Sequence, residues 1–371
     1  MRSIAKRRDF LRASAVLGGA AALGGWLPTT RAHASTIEAP VVDKLTIEVL
    51  VDSSFDIFLR PNQVNGVSAA PGPRKADYRR SLHNEWGLSL WLESQRGGEG
   101  RTLMLDYGYT PDVLANNMDL LGVDPAKLNA LIVSHGHYDH FGGLMGFLDR
   151  YRNVLPSDVK LYAGGEDNFC HRVAPTRAAG QFTDFGALDR RELAARKITT
   201  VLADQPVIIE GQAFTTGRIK RNSIEKVLPQ TWVEFGMKDG LGCDPAKYLP
   251  ADMAGKTVPD EHIHEHATCF NVKDRGLVVI SSCGHVGIVN SVRQAQEVSG
   301  IEKVHAIVGG FHLGPAQPDY LKQVVAEIHK LKPDVVIPMH CSGQNFVQEV
   351  RQQMPENLLL STTGTRITFG A

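Results

Sequence analysis

Ser134-His135-Gly136-His137-Tyr138-Asp139-His140 follows an apolar run, Ala130 to Val133, and leads into Phe141-Gly142-Gly143-Leu144. An apolar strand that ends in three histidines and an aspartate is a metal-site signal, because imidazole and carboxylate are donors that divalent metals take. His135 and His137 stand two apart, so an extended backbone points both side chains the same way. Asp139 and His140 come after a turn and reach toward a second metal. The spacing points to a divalent-metal centre, with two ions favoured over one.

The same pattern, His-x-His-x-Asp-His, with Asp106 closing the apolar segment Leu103 to Leu105, resembles the metallo-β-lactamase superfamily. The stretches Asn117 to Asp124, Ser282-Cys283-Gly284-His285-Val286-Gly287, Gly309-Gly310-Phe311-His312-Leu313 and Met339-His340-Cys341-Ser342-Gly343 narrow the likeness to one branch. That branch is the group of dihydropterin-methyl-ribofuranosylaminobenzene-phosphate synthase-like metallohydrolases, and the resemblance runs over about residues 44 to 370. It implies an α/β fold of the αββα sandwich type, two facing mixed sheets with helices outside. Strands followed by helices after residue 103, and again after residue 277, agree with two halves of similar design.

The resemblance also implies a ligand set. His135, His137 and His285 surround one metal, and Asp139, His140 and His340 hold the other. Asp106 orients a ligand histidine rather than binding metal. Cys283 and Cys341, beside expected ligands, read mainly as small buried packing residues or groups supporting the ligands, with Cys283 also offered at the bridging position that an aspartate fills elsewhere in the superfamily. Many members take their third histidine from just before a strand, where this chain has His262, His264 and His266, so that cluster competes with His285. His312, at a strand-end loop, is expected to contact substrate, transfer a proton or bind metal. The cofactor expected is Zn2+, two per chain, with iron or manganese also compatible with these donors.

Lys6-Arg7-Arg8-Asp9-Phe10-Leu11 opens the chain, a Gly/Ala-rich stretch follows, and Ala32-His33-Ala34 offers a small-x-small cleavage site. This predicts a signal peptide over residues 1–34 that uses the twin-arginine export machinery before cleavage. The apolar part is short and broken by glycines, so no stable membrane anchor is expected. The address implied is the periplasm or the outside of the cell. Residues 35–371 are expected to form a single metallo-β-lactamase-like domain, with loop insertions at about 53–80 and 211–260.

The whole chain of 371 residues has 40 basic and 40 acidic residues. Removing residues 1–34 takes away Arg2, Lys6, Arg7, Arg8, Arg12 and Arg31 against Asp9, leaving 34 basic and 39 acidic. That balance gives no nucleic-acid surface. The five cysteines are scattered without a Cys-x-x-Cys pair, so the chain is no disulfide scaffold, although an exported protein can form one bridge.

The region Ser53 to Tyr78 reads as an irregular loop. Arg196 to Leu202 and Val207 to Glu210 read as strands of a second sheet, and Leu358 to Ser361 as a closing strand. Arg221 to Ala254 shows no period and reads as a substrate-side insertion, with Arg218 and Lys220 as weak anion-binding candidates. Arg172, Arg177, Arg190, Arg191 and Arg196 read mainly as solvated surface. Trp86 and Trp91 belong to core or pocket wall.

These features favour metal-assisted hydrolysis of a small-molecule ester, lactone, amide or phosphoester. One alternative is a transferase like the synthase that names the branch, joining a pterin pyrophosphate to an aminobenzene ribofuranosyl phosphate with release of pyrophosphate. The other is a metal-binding protein without turnover. Monomer and homodimer fit equally well.

Overall fold

Strand Lys44–Val51 shows why the chain folds as layers. Leu45, Ile47 and Val49 point to one face, and a bulge between Val49 and Val51 interrupts the alternation at the strand's end. In Ser89–Arg96, Leu90 and Leu92 face that same interior while Trp91 faces the opposite layer. Glu99–Leu105 and Ala130–Val133 repeat the alternation, so both faces of this sheet are buried. The computed structural model describes residues 37–370 apart from 179, 229, 230, 245, 247–252 and 254. The signal peptide expected over 1–34 lies outside the described residues.

The first sheet has nine strands, in spatial order Thr199–Leu202, Lys160–Ala163, Ala130–Val133, Glu99–Leu105, Ser89–Arg96, Lys44–Val51, Thr365–Gly370, Val67–Pro71 and Asn62–Val64. The second runs Ile208–Ile209, Ala213–Thr215, Thr268–Val272, Gly276–Ser281, Val304–Gly309 and Val335–Pro338, with Val41–Val42 added beside Thr268–Val272. Between the two sheets lies an apolar layer in which Ile47, Leu92 and Ile132 belong to one cluster with Phe270, Ile280 and Ile337. Helices Pro111–Leu121 and Leu144–Tyr151 cover the outer face of the first sheet. Helices Ile288–Ser299, Pro318–Lys330 and Gln344–Gln353 cover the second. The architecture is the αββα sandwich.

The structure departs from the sequence reading in several places. Residues 53–78 are not an irregular loop throughout: Asn62–Val64 and Val67–Pro71 form a hairpin, with Asn65 and Gly66 at φ 49° and 83°. An Asn-Gly pair is the residue choice such a turn requires, and its hairpin extends the first sheet beside Thr365–Gly370. Thr199–Leu202 belongs to the first sheet, parallel to Lys160–Ala163, because helix Arg190–Ala195 returns the chain to that edge. Leu358 to Ser361 makes only a single bridge, from Leu358 to Val336, and no strand. Part of the insertion is built: Trp232–Glu234 joins Phe182–Gly186, His171–Pro175 and Thr257–Pro259 in an added four-stranded sheet.

A disulfide, Cys170–Cys243, joins the residue before strand His171–Pro175 of this added sheet to the residue after the short strand Leu241–Gly242, across 73 residues of sequence. In the chain-entropy view, a loop of that length contributes about 4 kcal/mol by restricting the unfolded chain.

Candidate metal centre

The elements that position the site share one end of the sandwich. Lys44–Val51, Glu99–Leu105, Ala130–Val133, Gly276–Ser281, Val304–Gly309 and Val335–Pro338 all run toward it. Each of these strands is followed within a few residues by a polar side chain of the site: Asp52, Asp106, His135, Cys283, His312 and His340. Loops at the carboxyl ends of strands can depart from regular backbone, and these do. Asp106, His262, His312 and His340 have φ values of 60°, 50°, 49° and 47°. Non-glycine residues take such angles at a cost, and their clustering here marks a site the fold holds in place.

Asp106 is fully buried and organises the first histidines. Its Oδ2 lies 2.7 Å from His140 Nδ1 and accepts the Ser134 hydroxyl at 2.7 Å, while Oδ1 accepts the Ser134 amide at 2.8 Å. The Ser134 Oγ in turn lies 2.9 Å from His135 Nδ1. Both histidines are thereby fixed through Nδ1, which leaves Nε2 of each free to bind metal. Gly136 between them has no space for a side chain, because a Cβ would stand 2.4 Å from the Asn168 carbonyl and 2.5 Å from Arg172 Nη1.

The opposite wall is built similarly. His340 donates its amide to Asp52 Oδ1 at 2.7 Å and places Nδ1 3.1 Å from Ser53 Oγ, with Nε2 3.3 Å from Asp139 Oδ2. Glu265, buried within the 262–266 cluster, accepts the amides of His285 and Val286 at 3.1 and 2.8 Å. It clamps the loop that carries His285. Burial, against these two amides, raises the Glu265 carboxyl to about 7.

The three clustered histidines separate cleanly. His264 Nε2 accepts the Gly136 amide at 2.9 Å and its Nδ1 lies 3.0 Å from Asp167 Oδ2, so both ring nitrogens are engaged. His266 Nε2 donates to the Val133 carbonyl at 3.1 Å. His262 stacks on His285, with ring centres 4.0 Å apart and planes 5° from parallel, and its Nε2 lies 3.2 Å from His137 Nε2. It is the member of the three that joins a group of metal donors, with His137 and His285.

Further donor groups combine His135, Cys283 and His285, and His140, Cys283 and His340, with donor atoms in each group within 4.8 Å of one another. Several buried atoms here have no hydrogen-bond partner among the described residues: Nε2 of His135, His140, His312 and His340, both ring nitrogens of His285, Nδ1 of His262, and Asp139 Oδ1. One such orphan is costly, and so many aimed into one place are explained by a cation. The donor set therefore fits a divalent metal. Its protonation fits as well. Burial, and then the neighbouring histidines, push His135 and His285 well below the ordinary imidazole range, so both are neutral and able to ligate. Burial alone would raise Asp139, but His140 and His340 outweigh it and hold the carboxylate ionised.

Sequence reasoning missed Ser134, Asp52, Ser53, Glu265 and the Arg172–Asp260 pair. Ser134 sits directly before His135, and Glu265 between His264 and His266, so proximity in sequence was the available signal for those two. Arg172 is fully buried rather than a solvated cation: its Nε donates to Asp260 Oδ2 at 2.6 Å and Nη2 to the Asp167 carbonyl at 3.0 Å. Lys220 pairs with Glu297 at the surface, which takes it out of the anion-binding candidates. Trp91 is core, whereas Trp86, 57% exposed, stands 4.8 Å from the His340 ring as pocket wall.

The comparisons with known proteins accord with this geometry. The family model of the metallo-β-lactamase superfamily matches residues 88–216. A 7,8-dihydropterin-6-methyl-4-(β-D-ribofuranosyl)-aminobenzene-5'-phosphate synthase of Methanocaldococcus jannaschii is 27% identical over 299 residues, 79% of this chain and 93% of the relative. An uncharacterized protein of the same organism is 24% identical over 255 residues, 68% of this chain and 83% of its own length. Among solved structures, that of Tm1679, a metal-dependent hydrolase of the β-lactamase superfamily, superposes with a TM-score of 0.62 at 22% identity, covering 87% of this chain and 98% of the other.

Proposed function

We propose that this chain is a member of the metallo-β-lactamase superfamily, a reading supported by the match over residues 88–216 and by the shared fold, and a metal-dependent enzyme cleaving an ester, lactone, amide or phosphoester bond of a small molecule. The observation that carries the reading is the convergence of buried, partnerless imidazole nitrogens and the Asp139 carboxylate at one end of the sandwich. His135, His137 and His285 would hold one ion, with His262 beside them, and Asp139, His140 and His340 the other. Bound there, divalent metal supplies Lewis acidity that activates water at neutral pH and offsets charge developing on the substrate.

The protein's own groups do the rest. Asp106 and Ser134 keep His135 and His140 in the tautomer that offers Nε2. Glu265 holds the His285 loop, and Asp52 holds His340. His312, buried with a partnerless Nε2, delivers a proton to the departing group. The likeness to the synthase favours a second reading, in which an aryl amine rather than water attacks and pyrophosphate leaves.

Metal analysis tests the centre. About two ions per chain are expected in the parent, about half of that in His285→Ala, and the parental content in His266→Ala. Equal content in all three would remove His285 from the ligands. Chelation should abolish turnover and metal should restore it, whereas activity that survives full chelation would overturn the reading. Pyrophosphate release that requires the aminobenzene ribofuranosyl phosphate would select transfer, and turnover of an ester, lactone or phosphoester in water would select hydrolysis.

We also propose export by the twin-arginine route, supported by Arg7-Arg8 followed by Phe10-Leu11 and consistent with the Cys170–Cys243 bridge. A double Lys replacement of Arg7 and Arg8 should leave the precursor in the cytoplasm. Periplasmic protein at the parental level would show that the route is another.

A further inference from the structure

Two thiols and an imidazole meet beside the nitrogen and carboxylate donors: Cys283 lies within reach of both donor groups described above, whereas Cys341 belongs to neither. Cys283 and Cys341 come from loops that follow strands Gly276–Ser281 and Val335–Pro338, yet their Sγ atoms are 3.2 Å apart. His312, following Val304–Gly309, places Nδ1 3.5 Å from Cys283 Sγ and gives its amide to Cys341 Sγ at 3.2 Å. Cys341 Sγ also lies 3.4 Å from the Cys283 carbonyl. Cys283, Cys341 and His312 are 2%, 4% and 7% exposed, and their donor atoms form a group within 4.8 Å. Close backbone contact enforces the meeting: a Cβ on Gly310 would stand 2.9 Å from Cys341 Sγ and 2.3 Å from the Ser282 carbonyl.

We infer that Cys283, Cys341 and His312 form a further site, adjoining the centre at Cys283, for a soft, thiophilic monovalent cation of the copper(I) class. Two sulfurs and one nitrogen make a low-coordinate, soft donor set, unlike the imidazole and carboxylate donors around it. The sulfurs bind as thiolates, any thiol proton passing to solvent, so that two thiolates and one monovalent cation leave a net charge of about −1 at the site. Two thiolates would neutralise a dication, whereas with a monovalent cation the site keeps a net negative charge that attracts the neighbouring metal positions. That charge argument rests on the hydrolytic-centre reading, but the site itself does not. An occupied site would engage His312 and remove the proposed proton donor.

The test is anaerobic titration of the reduced full-length protein with copper(I) against a chromophoric copper(I) chelator, in both the zinc-loaded and the metal-free forms. Uptake of about one copper(I) per chain with zinc retained is expected, with copper–sulfur scattering in X-ray absorption. Cys341→Ser should weaken copper binding by about 100-fold with zinc content held, and His312→Ala should weaken copper binding by about 10-fold. Copper(I) that displaces zinc atom for atom, or that binds equally well to either variant, overturns the proposal. A Cys283–Cys341 disulfide in the reduced protein, seen as a mass loss with no copper uptake, overturns it too. If Cys341→Ser does not fold, His312→Ala decides the matter alone. Uptake by the metal-free form keeps this result independent of whether the zinc centre is catalytic.

Discussion

Asp139→Asn should lose roughly half of the bound metal and lower turnover by about 10³-fold, the scale seen when one group that stabilises developing charge is removed. The substitution keeps shape and volume, so packing is unchanged. What changes is charge and hydrogen-bonding sense. Asp139 Oδ2 lies 3.3 Å from His340 Nε2 and 3.7 Å from His140 Nε2, and Oδ1 has no protein partner among the described residues. An amide in that place has one fewer anionic donor. Metal content by mass spectrometry, read beside kcat on the substrate found by screening, checks the prediction. Parental metal and parental kcat in Asp139→Asn would remove this residue from the centre.

The largest stability effect is expected at Arg172. Arg172→Met should destabilise the protein by about 3–5 kcal/mol at pH 7, the range for breaking a buried pair and stranding one charge. Arg172 is fully buried and bonded to Asp260, to the carbonyls of Asp167 and Cys170, and to His264. Asp260 is buried as well. Burial would raise its pKa, but Arg172, and then His262, His264 and His137, outweigh that and hold it below its usual value of 3.8. A carboxylate depressed in the folded state contributes stability above its unfolded pKa and loses it as pH falls through the folded value. The gap between parent and Arg172→Met should therefore be full at pH 7 and narrow on acidification below about pH 4. Denaturant unfolding at the two pH values measures it. An equal gap at both would make the loss one of packing volume rather than charge.

Much of the fold was legible because its strands alternate. Leu45, Ile47 and Val49, or Leu131 and Val133, sort to opposite layers by a period of two, and Pro111 and Gly122 bracket their helix. The Asn65-Gly66 turn was legible too, but the surrounding polar residues masked a hairpin whose strands lie at the sheet's edge. The assignment of Thr199–Leu202 to a sheet was beyond local sequence, because its partner is set by where the preceding helix returns the chain.

The site divides along the same line. His135, His137, Asp139 and His140 share one short stretch and announced themselves. Arg172, Thr231 and Asp260 support His137 or its neighbours from distant segments, so no local spacing joins them. His262, His264 and His266 looked equivalent in sequence, and only the partners of each ring nitrogen distinguish them.

The pairing of strand Lys44–Val51 with Thr365–Gly370 has a consequence for biosynthesis. Asp52, at the end of the early strand, receives the His340 amide and donates its own amide to Thr363 Oγ1 at 2.9 Å, across 311 residues. The cradle of His340 is thus shared between the first and last segments of the sandwich. It cannot close until Thr363 and strand Thr365–Gly370 have been synthesised, 311 residues and more after Asp52. Such long-range closure makes folding slow. The export leader proposed above would be exposed well before the metal donors can assemble. For the proposed leader, a transport system that waits for a finished fold suits the order in which this molecule is built.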